Sequence, residues 1–547
     1  MEGIILDDCD LVTLDALKEL ERLRRVQLSY CHGAFSFDPL LTCPNLTTVV
    51  VERCDDVPLL EALGRLRNLR EVTLRCCAIT SLEFLKNCTL LEAVNVRYCE
   101  FLTSLSGLSG LKRLRFVNAD DNEIQSIGDL TGCVALETVN VSSCEILTSL
   151  TGLSGLGKLK VVDAKGSGVE SIEDLVGCMA LESVDISFCE ELTSLVGLSG
   201  LRKLRAVNAR KSGIQSTEHL AGCVALESVD VRECENLTSL AGLSGLKKLR
   251  SVYADQSGIV SVEHLAECAA LESVSVSCCE NLISLAGLSE LKKLQTVVAG
   301  GTRIKSLENL AGCIALESVS VMYCGSLPSL VGLHELEKLR IVDATFSAVE
   351  TIEHLAGCAA LESVKVGGCY RLDSLSGLSG LGKLKSLIAH ASGIHRLGDL
   401  TGCVTLESVD VRHCKNLLSL SGLSGLGKLK TVDASESGIE SIGDLSGCTA
   451  LESVNVWGCE NLNSLAGLNG LGKLRLVDAR LSGIQTIVDL NGCASLESVD
   501  VSGCRNLTSL SPLKGLQTSR GWAPAVVVFL IRKNLLSWGE NAQRRRA

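Results

Sequence analysis

The residues of this chain with the greatest potential for chemistry are its 27 cysteines and eight histidines. Thiolates and imidazoles are metal ligands, and neighbouring thiols form disulfides in oxidising compartments. Their spacing argues against a single reactive centre, because one set of twelve cysteines steps by 45 residues from Cys9 to Cys504. A second set of eleven steps by the same 45 residues from Cys43 to Cys493. Residues repeated at a fixed interval belong to successive copies of one unit, so we expect them to be spread along the molecule.

The histidines and carboxylates follow the same rule. Three histidines share one repeat position: His219, His264 and His354. Four acidic residues share another: Asp185, Asp230, Asp410 and Asp500. Members of either set should lie about 10 Å or more apart, too far to share a metal ion or to form a catalytic carboxylate pair. The chain also lacks the H-E-x-x-H, paired C-x-x-C, phosphate-loop and G-x-S-x-G motifs. We therefore expect no enzymatic activity, no metal site and no cofactor.

The unit that carries these residues runs from Leu226 to Ala270, and its opening leucine recurs every 45 residues. The opening leucines are Leu46, Leu91, Leu136, Leu181, Leu226, Leu271, Leu316, Leu361, Leu406, Leu451 and Leu496. Each unit has two similar halves, of 23 and 22 residues, in which an alternating apolar stretch precedes an inward residue, Cys234 or Ser257. The alternation predicts a short strand, and the following L-x-x-L-x-x-L run predicts 3₁₀ or short helical turns. One such coil cannot bury its own leucines, so neighbouring coils must stack.

The half-unit pattern L-x-x-L-x-L-x-x-(N/C) resembles the leucine-rich repeat signature. The resemblance implies an α/β fold, a leucine-rich repeat solenoid shaped as a horseshoe or superhelix with about 23 coils. Short parallel strands would line its concave face, and 3₁₀ or short helical turns its convex face.

A narrower resemblance covers residues 1–516. LESVDVSGC at Leu496–Cys504 and LSGLGKL at Leu153–Leu159, with paired V-D-A-x-x-S-G-I coils, are similar to the large leucine-rich repeat proteins of trypanosomatid parasites. Those proteins are described as adenylate cyclase regulatory proteins, which implies a regulatory role. This chain itself has no cyclase, kinase or RING-type zinc segment.

The period also predicts the domain organisation. It continues without insertion from Leu46 to about Leu516, so we interpret residues 1–516 as one solenoid domain. Residues 517–547 abandon the pattern. Three interpretations of this tail stay open: a cap over the last coil, a disordered or aberrant end, and a docking or targeting segment.

Composition and cysteine usage restrict the partners and the compartment. A net charge of −12 argues against nucleic-acid binding, which requires a basic surface. The chain has no apolar run long enough for a membrane span and no secretory signal pattern at its amino terminus. Equivalent cysteines are expected two coils apart, about 10 Å, which exceeds the Cα separation of a disulfide. We therefore predict buried free thiols in a cytoplasmic, reducing location. The uncapped first coil suggests self-association through exposed ends.

Candidate binding residues occur where near-identical copies differ. The two positions that follow Asp230 in the predicted strand are the most diverse, and several copies carry large aromatic or basic residues there. Interfaces are enriched in such residues, so we predict a protein partner on the concave strand face. The candidate protein-binding residues are Arg232, Glu233, Tyr253, Met322, Tyr323, Phe346, Arg412, His413 and Trp457. The alternative is neutral drift at exposed positions of recently duplicated repeats.

Three functions are compatible with this pattern. The leading hypothesis is a non-enzymatic scaffold for protein–protein interaction. The second is a regulatory subunit of a signalling enzyme such as adenylate cyclase. The third is a surface or secreted recognition receptor whose signal sequence would lie upstream of Met1.

Overall fold

The computed structural model describes residues 2–33, 35–54, 60–487, 490 and 492–508. They belong to two compact units, Met1–Cys279 and Glu280–Ala547. The single domain expected over residues 1–516 remains a prediction. The predicted tail, residues 517–547, lies outside the described residues.

The first unit contains thirteen described strands, each parallel to and in register with the next strand in the chain. They are β1 (Gly3–Asp7), β2 (Arg25–Ser29), β3 (Thr48–Glu52), β4 (Glu71–Arg75), β5 (Ala93–Asn95), β6 (Phe116–Asn118), β7 (Thr138–Asn140), β8 (Val161–Asp163), β9 (Ser183–Asp185), β10 (Ala206–Asn208), β11 (Ser228–Asp230), β12 (Ser251–Tyr253) and β13 (Ser273–Ser275). Val229 of β11 lies opposite Val252 of β12, so equivalent residues of successive half-units are neighbours in the sheet.

The second unit repeats this arrangement with ten described strands, again parallel and in register. They are β14 (Thr296–Val298), β15 (Ser318–Ser320), β16 (Ile341–Asp343), β17 (Ser363–Lys365), β18 (Ser386–Ile388), β19 (Ser408–Asp410), β20 (Thr431–Asp433), β21 (Ser453–Asn455), β22 (Leu476–Asp478) and β23 (Ser498–Asp500).

The helical segments of the described residues are all short 3₁₀ turns, as the period-three leucine spacing predicts. In the first unit they are Asp15–Leu17, Asp38–Thr42, Leu60–Arg65, Glu83–Asn87, Ser106–Leu108, Glu173–Leu175, Val196–Leu198, Glu218–Leu220, Ala241–Leu243 and Glu263–Leu265. In the second unit they are Ala286–Leu288, Glu308–Leu310, Glu353–Leu355, Ser376–Leu378, Ser421–Leu423 and Ala466–Leu468.

The core of each unit consists of the apolar repeat positions. Leu226, Val229 and Val231 are completely buried, whereas Ser228 and Asp230 between them are only half-buried on the other strand face. This is the alternation expected of a strand with one face in the core. A single coil supplies too few apolar side chains to form such a core, so stacking of the coils is what buries them.

The inward cysteines bond the backbone of the preceding coil, as predicted, whereas the inward serines bond a carbonyl of their own coil. The Cys234 thiol donates to the carbonyl of Ala209, 3.0 Å away, in the preceding coil. The Ser212 hydroxyl donates to the same carbonyl at 2.7 Å, and the Ser212 and Cys234 side chains lie 3.7 Å apart. Alternation of cysteine and serine therefore satisfies one buried carbonyl twice, which a larger side chain could not do in the same space.

The spacing predicted for the cysteines is wrong in part of the first unit. The 27 cysteines are free thiols, and 23 of them are buried. Cys31 and Cys77 occupy the position that serine holds in later copies, so successive coils carry a thiol. Neighbouring coils are about 4.8 Å apart, so separation alone does not exclude disulfides in this stretch. The affected thiols are Cys9, Cys31, Cys54, Cys77 and Cys99.

Candidate protein-binding surface

The two residues before each inward position form a turn with a fixed backbone. The second of them has a positive φ in the coil of every one of the 23 strands, for example 60° at Glu233 and 58° at Tyr323. Its N–H donates to the first turn residue of the next coil, as the Tyr323 amide does to the Thr345 carbonyl at 2.9 Å. We call the side chains at these two positions the turn row of a unit. It lies along one edge of the strand face, because the turns extend the backbone ladder beyond the strands.

Most of the predicted binding residues belong to this turn row, and not to the strands in which the sequence placed them. The strand ends early because an Asp or Asn at its last position accepts the backbone N–H two residues later. Asp230 accepts from the amide of Arg232 at 3.1 Å, and Asn455 accepts from the amide of Trp457 at 3.0 Å. The four acidic residues that share this repeat position, Asp185, Asp230, Asp410 and Asp500, are therefore turn-forming caps. Tyr253 alone among the candidates is a strand residue, at the end of β12.

Three of the second unit's turn-row side chains form an aromatic cluster. The rings of Tyr323 and Phe346 are stacked, with centroids 5.2 Å apart and planes 10° from parallel. Phe346 also meets His390 edge-on at 6.2 Å. The stacked pair stays accessible, with Tyr323 60% and Phe346 38% exposed. Tyr323 and Phe346 were predicted as anchors and do come together, whereas His390 was not predicted.

A pair of glycines explains how Phe346 and His390 meet although one coil separates them. A Cβ atom at Gly367 would lie 2.7 Å from the His390 ring, and one at Gly368 would lie 2.2 Å from the Phe346 ring. Both rings therefore lie directly over the intervening backbone. The glycine pair beside an aromatic residue was the sequence signal that could have identified His390.

The strand face beside the aromatic cluster carries fewer carboxylates than the coils that follow. The capping position there holds Val298, Ser320, Lys365 and Ile388 in place of Asp or Asn. The remaining cap, Asp343, is ion-paired with Lys365 at 3.3 Å. The aromatic cluster is thus bordered by a locally neutral surface.

The charged candidates are all engaged within the protein. Arg232 forms a two-point ion pair with Asp230, at 2.9 Å from Nε and 2.5 Å from Nη2. Glu233 accepts from Arg210 Nε at 2.7 Å. Hydrogen bonding to Asp230 raises the pKa of Arg232.

The second unit shows the same kind of pairing. Arg412 binds Asp410 at 2.9 and 2.8 Å, and this hydrogen bonding raises the pKa of Arg412. His413 Nδ1 lies 3.3 Å from Glu436. Arg232, Glu233 and Arg412 are therefore held by local ion pairs that largely balance their charges, and His413 contacts Glu436.

The remaining candidates lie apart from one another. Met322 is half-buried and precedes Tyr323 in the aromatic cluster's turn. Trp457 is half-buried in a turn that it shares with Gly458. Tyr253 is half-buried in the first unit, where the Arg232 guanidinium lies over its ring at 5.6 Å.

The opposite edge of the strands is occupied by ion pairs between coils. Glu137 accepts from Arg115 Nε at 2.8 Å and from Lys160 Nζ at 2.7 Å. Glu362 is bound in the same way by Arg340 and Lys385, both at 2.8 Å. The hydrogen bonds from Lys385 and Arg340 lower the pKa of Glu362 to about 2. This edge neutralises itself, which leaves the turn row as the more distinctive surface.

The repeated histidines do not converge on a metal. The Nδ1 atoms of His219, His264 and His354 are buried without a hydrogen-bond partner, each in the 3₁₀ turn of a different coil. Across the residues that the structure describes, no three His, Cys, Asp or Glu side chains are grouped so as to hold a metal ion.

None of the helical segments among the described residues is long and apolar enough to cross a membrane.

Comparison with known proteins identifies the architecture. No protein-family profile matches the chain, and no curated protein sequence does so. Among solved structures, the plant peptide hormone receptor RGFR1 in complex with RGF2 is similar with a TM-score of 0.50 and 13% identity, over 94% of this chain and 96% of that one. The LRR protein LIC12759 of Leptospira interrogans has a TM-score of 0.50 and 14% identity, over 64% of this chain and 85% of that one.

The fold is a leucine-rich repeat solenoid. Parallel in-register strands, inward bonding residues and the 3₁₀ turns of many half-units agree with this architecture. At 13 and 14% identity these likenesses establish the fold of this leucine-rich repeat protein and nothing about its partners.

Proposed function

We propose that this leucine-rich repeat protein is a non-enzymatic scaffold that binds a protein partner through the aromatic cluster of its second unit. The observation that carries the proposal is the stacked, exposed pair Tyr323–Phe346. Neither ring packs into the core, and both are accessible at an edge whose backbone is fixed. Rigid, exposed aromatic side chains are the commonest anchors of protein interfaces.

The surroundings of the aromatic cluster favour an apolar segment of the partner. Met322 precedes Tyr323 in its turn, and the strand-end positions of nearby coils hold the apolar Val298 and Ile388. The charged residues at those positions, Asp343 and Lys365, neutralise each other. Arg412, His413 and Trp457 would extend the contact along the turn row. The paired arginines would contribute packing area more than net charge, because their carboxylate partners are already in place.

The test compares two kinds of exposed aromatic residue. Affinity purification with the wild-type chain, followed by mass spectrometry, identifies candidate partners. The double variant Tyr323→Ala/Phe346→Ala is expected to bind a true partner at least tenfold more weakly, which corresponds to a loss of about 1.4 kcal/mol or more of binding free energy. Tyr370→Ala is the matched control, because Tyr370 is 71% exposed but lies outside the turn row. Partners that tolerate the double variant, or that are lost equally with Tyr370→Ala, would contradict the proposal.

We place this scaffold in a reducing compartment. The support is the set of 23 buried free thiols. The alternative, a surface or secreted recognition receptor, predicts oxidised cysteines. Thiol titration of the purified native protein after unfolding separates the two, since a majority of oxidised cysteines would reject the reducing compartment.

A narrower form of the proposal is regulation of a signalling enzyme such as adenylate cyclase, and its only support is the resemblance to the trypanosomatid repeat family. Cyclase activity that co-purifies with the chain and changes when the chain is added would support this role. Partners without any such activity would reject it while leaving the scaffold intact.

A further inference from the structure

Six arginines occupy the first turn position, and their surroundings follow a simple rule. They are Arg75, Arg97, Arg210, Arg232, Arg412 and Arg480. Where the residue two positions earlier is Asp, it binds the arginine within the same coil. Arg480 binds Asp478 at 2.9 and 2.6 Å, in the manner already described for Arg232 and Arg412.

Where the earlier residue is Asn, the next coil supplies the carboxylate. Arg97 follows Asn95 and binds Asp120 at 2.7 Å. Arg210 follows Asn208 and binds Glu233. Five of the six arginines therefore have a carboxylate partner.

Arg75 is the exception within the described part of the chain. Thr73 stands two residues earlier, and the turn of the next coil offers Arg97 and Tyr98, neither of which is an acid. Glu52 lies opposite Arg75 on β3, yet no ion pair joins them among the described residues. The Nε of Arg75 is buried without a hydrogen-bond partner. Arg75 is thus a turn-row guanidinium whose charge is not balanced by contact.

Its neighbours hold this charge at the surface. The Arg75 and Arg97 guanidinium groups lie 5.5 and 5.0 Å from the ring of Tyr98. Arg97 also donates to the Tyr98 hydroxyl at 3.2 Å. In the preceding coil Arg53 lies over Tyr30 at 5.6 Å. The contact with Tyr98 positions the Arg75 guanidinium without supplying a negative charge.

We propose that Arg75, with Arg53 beside it, binds carboxylates of an acidic segment in a protein partner. Arginine binds carboxylates through paired N–H donors, and five equivalent arginines in this chain are occupied by that group. Adjacent coils are about 4.8 Å apart, whereas alternate side chains of an extended peptide are about 6.6 Å apart, so the two arginine side chains would have to spread by about 2 Å to meet two such carboxylates. The site lies in the first unit and does not depend on the aromatic cluster of the second unit.

The test uses a short fluorescein-labelled peptide that alternates Glu and Ala, with a Gln–Ala peptide as the neutral comparison. Fluorescence anisotropy is measured at about 0.1 M ionic strength, where distant charges are screened beyond about 10 Å. The full chain is expected to bind the acidic peptide more tightly than the neutral one. Arg75→Gln should weaken this binding about fivefold or more.

The decisive variant is Thr73→Asp, which keeps Arg75 but gives it the same within-coil partner that Arg232 has. It should weaken binding as much as Arg75→Gln does. Thr73→Asn should leave binding unchanged, because Asn at this position does not ion-pair with the arginine: Arg97 and Arg210, which follow Asn95 and Asn208, bind a carboxylate of the next coil instead. Asn140→Asp controls for added negative charge, and Arg480→Gln controls for loss of an already neutralised arginine.

Three results would overturn the assignment. The first is equal binding of the acidic and neutral peptides, or no binding of the acidic one. The second is unchanged binding in Arg75→Gln or Thr73→Asp, with circular dichroism showing that the variants are folded. The third is tighter binding of a single-stranded oligonucleotide than of the peptide, with the same dependence on Arg75. None of these results bears on Tyr323 and Phe346.

Discussion

At the scale of single residues, the second turn position explains why side chains differ there so freely. Its left-handed backbone recurs in every described coil, with Tyr323 at 58° and Phe346 at 57°. The left-handed conformation destabilises a coil by roughly 1 kcal/mol when the residue is not glycine. Every coil with a side chain at this position carries this energetic cost. The conformation therefore belongs to the repeat, and the choice of side chain is free to serve binding.

The two adjacent cysteines Cys278 and Cys279 give a residue-scale prediction. Cys278 is exposed at the turn position, whereas Cys279 is buried and donates to the Ala254 carbonyl at 3.1 Å. Burial also raises the pKa of the Cys279 thiol, which lowers its thiolate fraction. In the native protein iodoacetamide should modify Cys278 at least tenfold faster than Cys279.

Peptide mapping by mass spectrometry measures the two rates. In Cys278→Ser, fast labelling of this peptide should disappear. Comparable native rates at the two cysteines would show that the inward thiol row is accessible, contrary to its burial.

At the scale of the element, each turn is held by hydrogen bonds within its own coil and to the next coil. The Asp and Asn caps end the strands, and the amides of the left-handed residues bind the next coil. In the coil of Gly367 and Gly368 the absence of side chains lets the Phe346 and His390 rings lie over the backbone. Packing between coils, and not the conformation of one coil, thus assembles the aromatic cluster.

Replacing Gly368 with alanine should separate the effect of backbone conformation from the effect of packing between coils. Gly368 and Gly166 hold the same turn position with φ of 68° and 64°. A Cβ at Gly166 meets nothing within 4 Å, whereas one at Gly368 meets the Phe346 ring. Gly166→Ala should lower the free energy of unfolding by about 1 kcal/mol through the backbone alone, and Gly368→Ala by roughly 1–3 kcal/mol more.

Urea denaturation of both variants measures the difference. Gly368→Ala should also displace the Phe346 ring and weaken a partner bound to the aromatic cluster. Equal destabilisation of the two variants would mean that the ring does not pack on this backbone.

At the scale of the whole molecule, the buried thiols should make the free energy of unfolding fall as the pH rises through the alkaline range. Desolvation raises the pKa of Cys88, Cys223 and Cys313 to about 11, above the value of about 8.5 in an unfolded chain. Between these values the folded chain binds more protons than the unfolded chain, so stability falls as pH rises. Below about pH 8.5 the thiols are protonated in both states, and their contribution is fully present.

We expect the urea midpoint to be similar at pH 7 and pH 8 and to fall steeply between about pH 9 and pH 11, because many thiols act together. Replacing Cys178, Cys223 and Cys268 together with Ala should make this fall shallower. Titration of lysines and tyrosines is common to both proteins and cancels in the comparison. An unchanged slope in the triple variant would exclude the thiols as its cause.

The sequence by itself determined the coil. The 45-residue period, the alternating apolar residues and the inward Cys234 and Ser257 specify strand, core and inward hydrogen bond, because each depends only on a residue's place within its own repeat. Only the tertiary structure decided which side chains of neighbouring coils contact one another. Stacking places residues about one half-unit apart side by side, so Asp120 neutralises Arg97 of the preceding coil, whereas the coil after Arg75 offers it no acid. Stacking likewise joined Phe346 to His390 across two glycines. Such pairings depend on differences between neighbouring copies, and a repeat pattern read one unit at a time does not contain them.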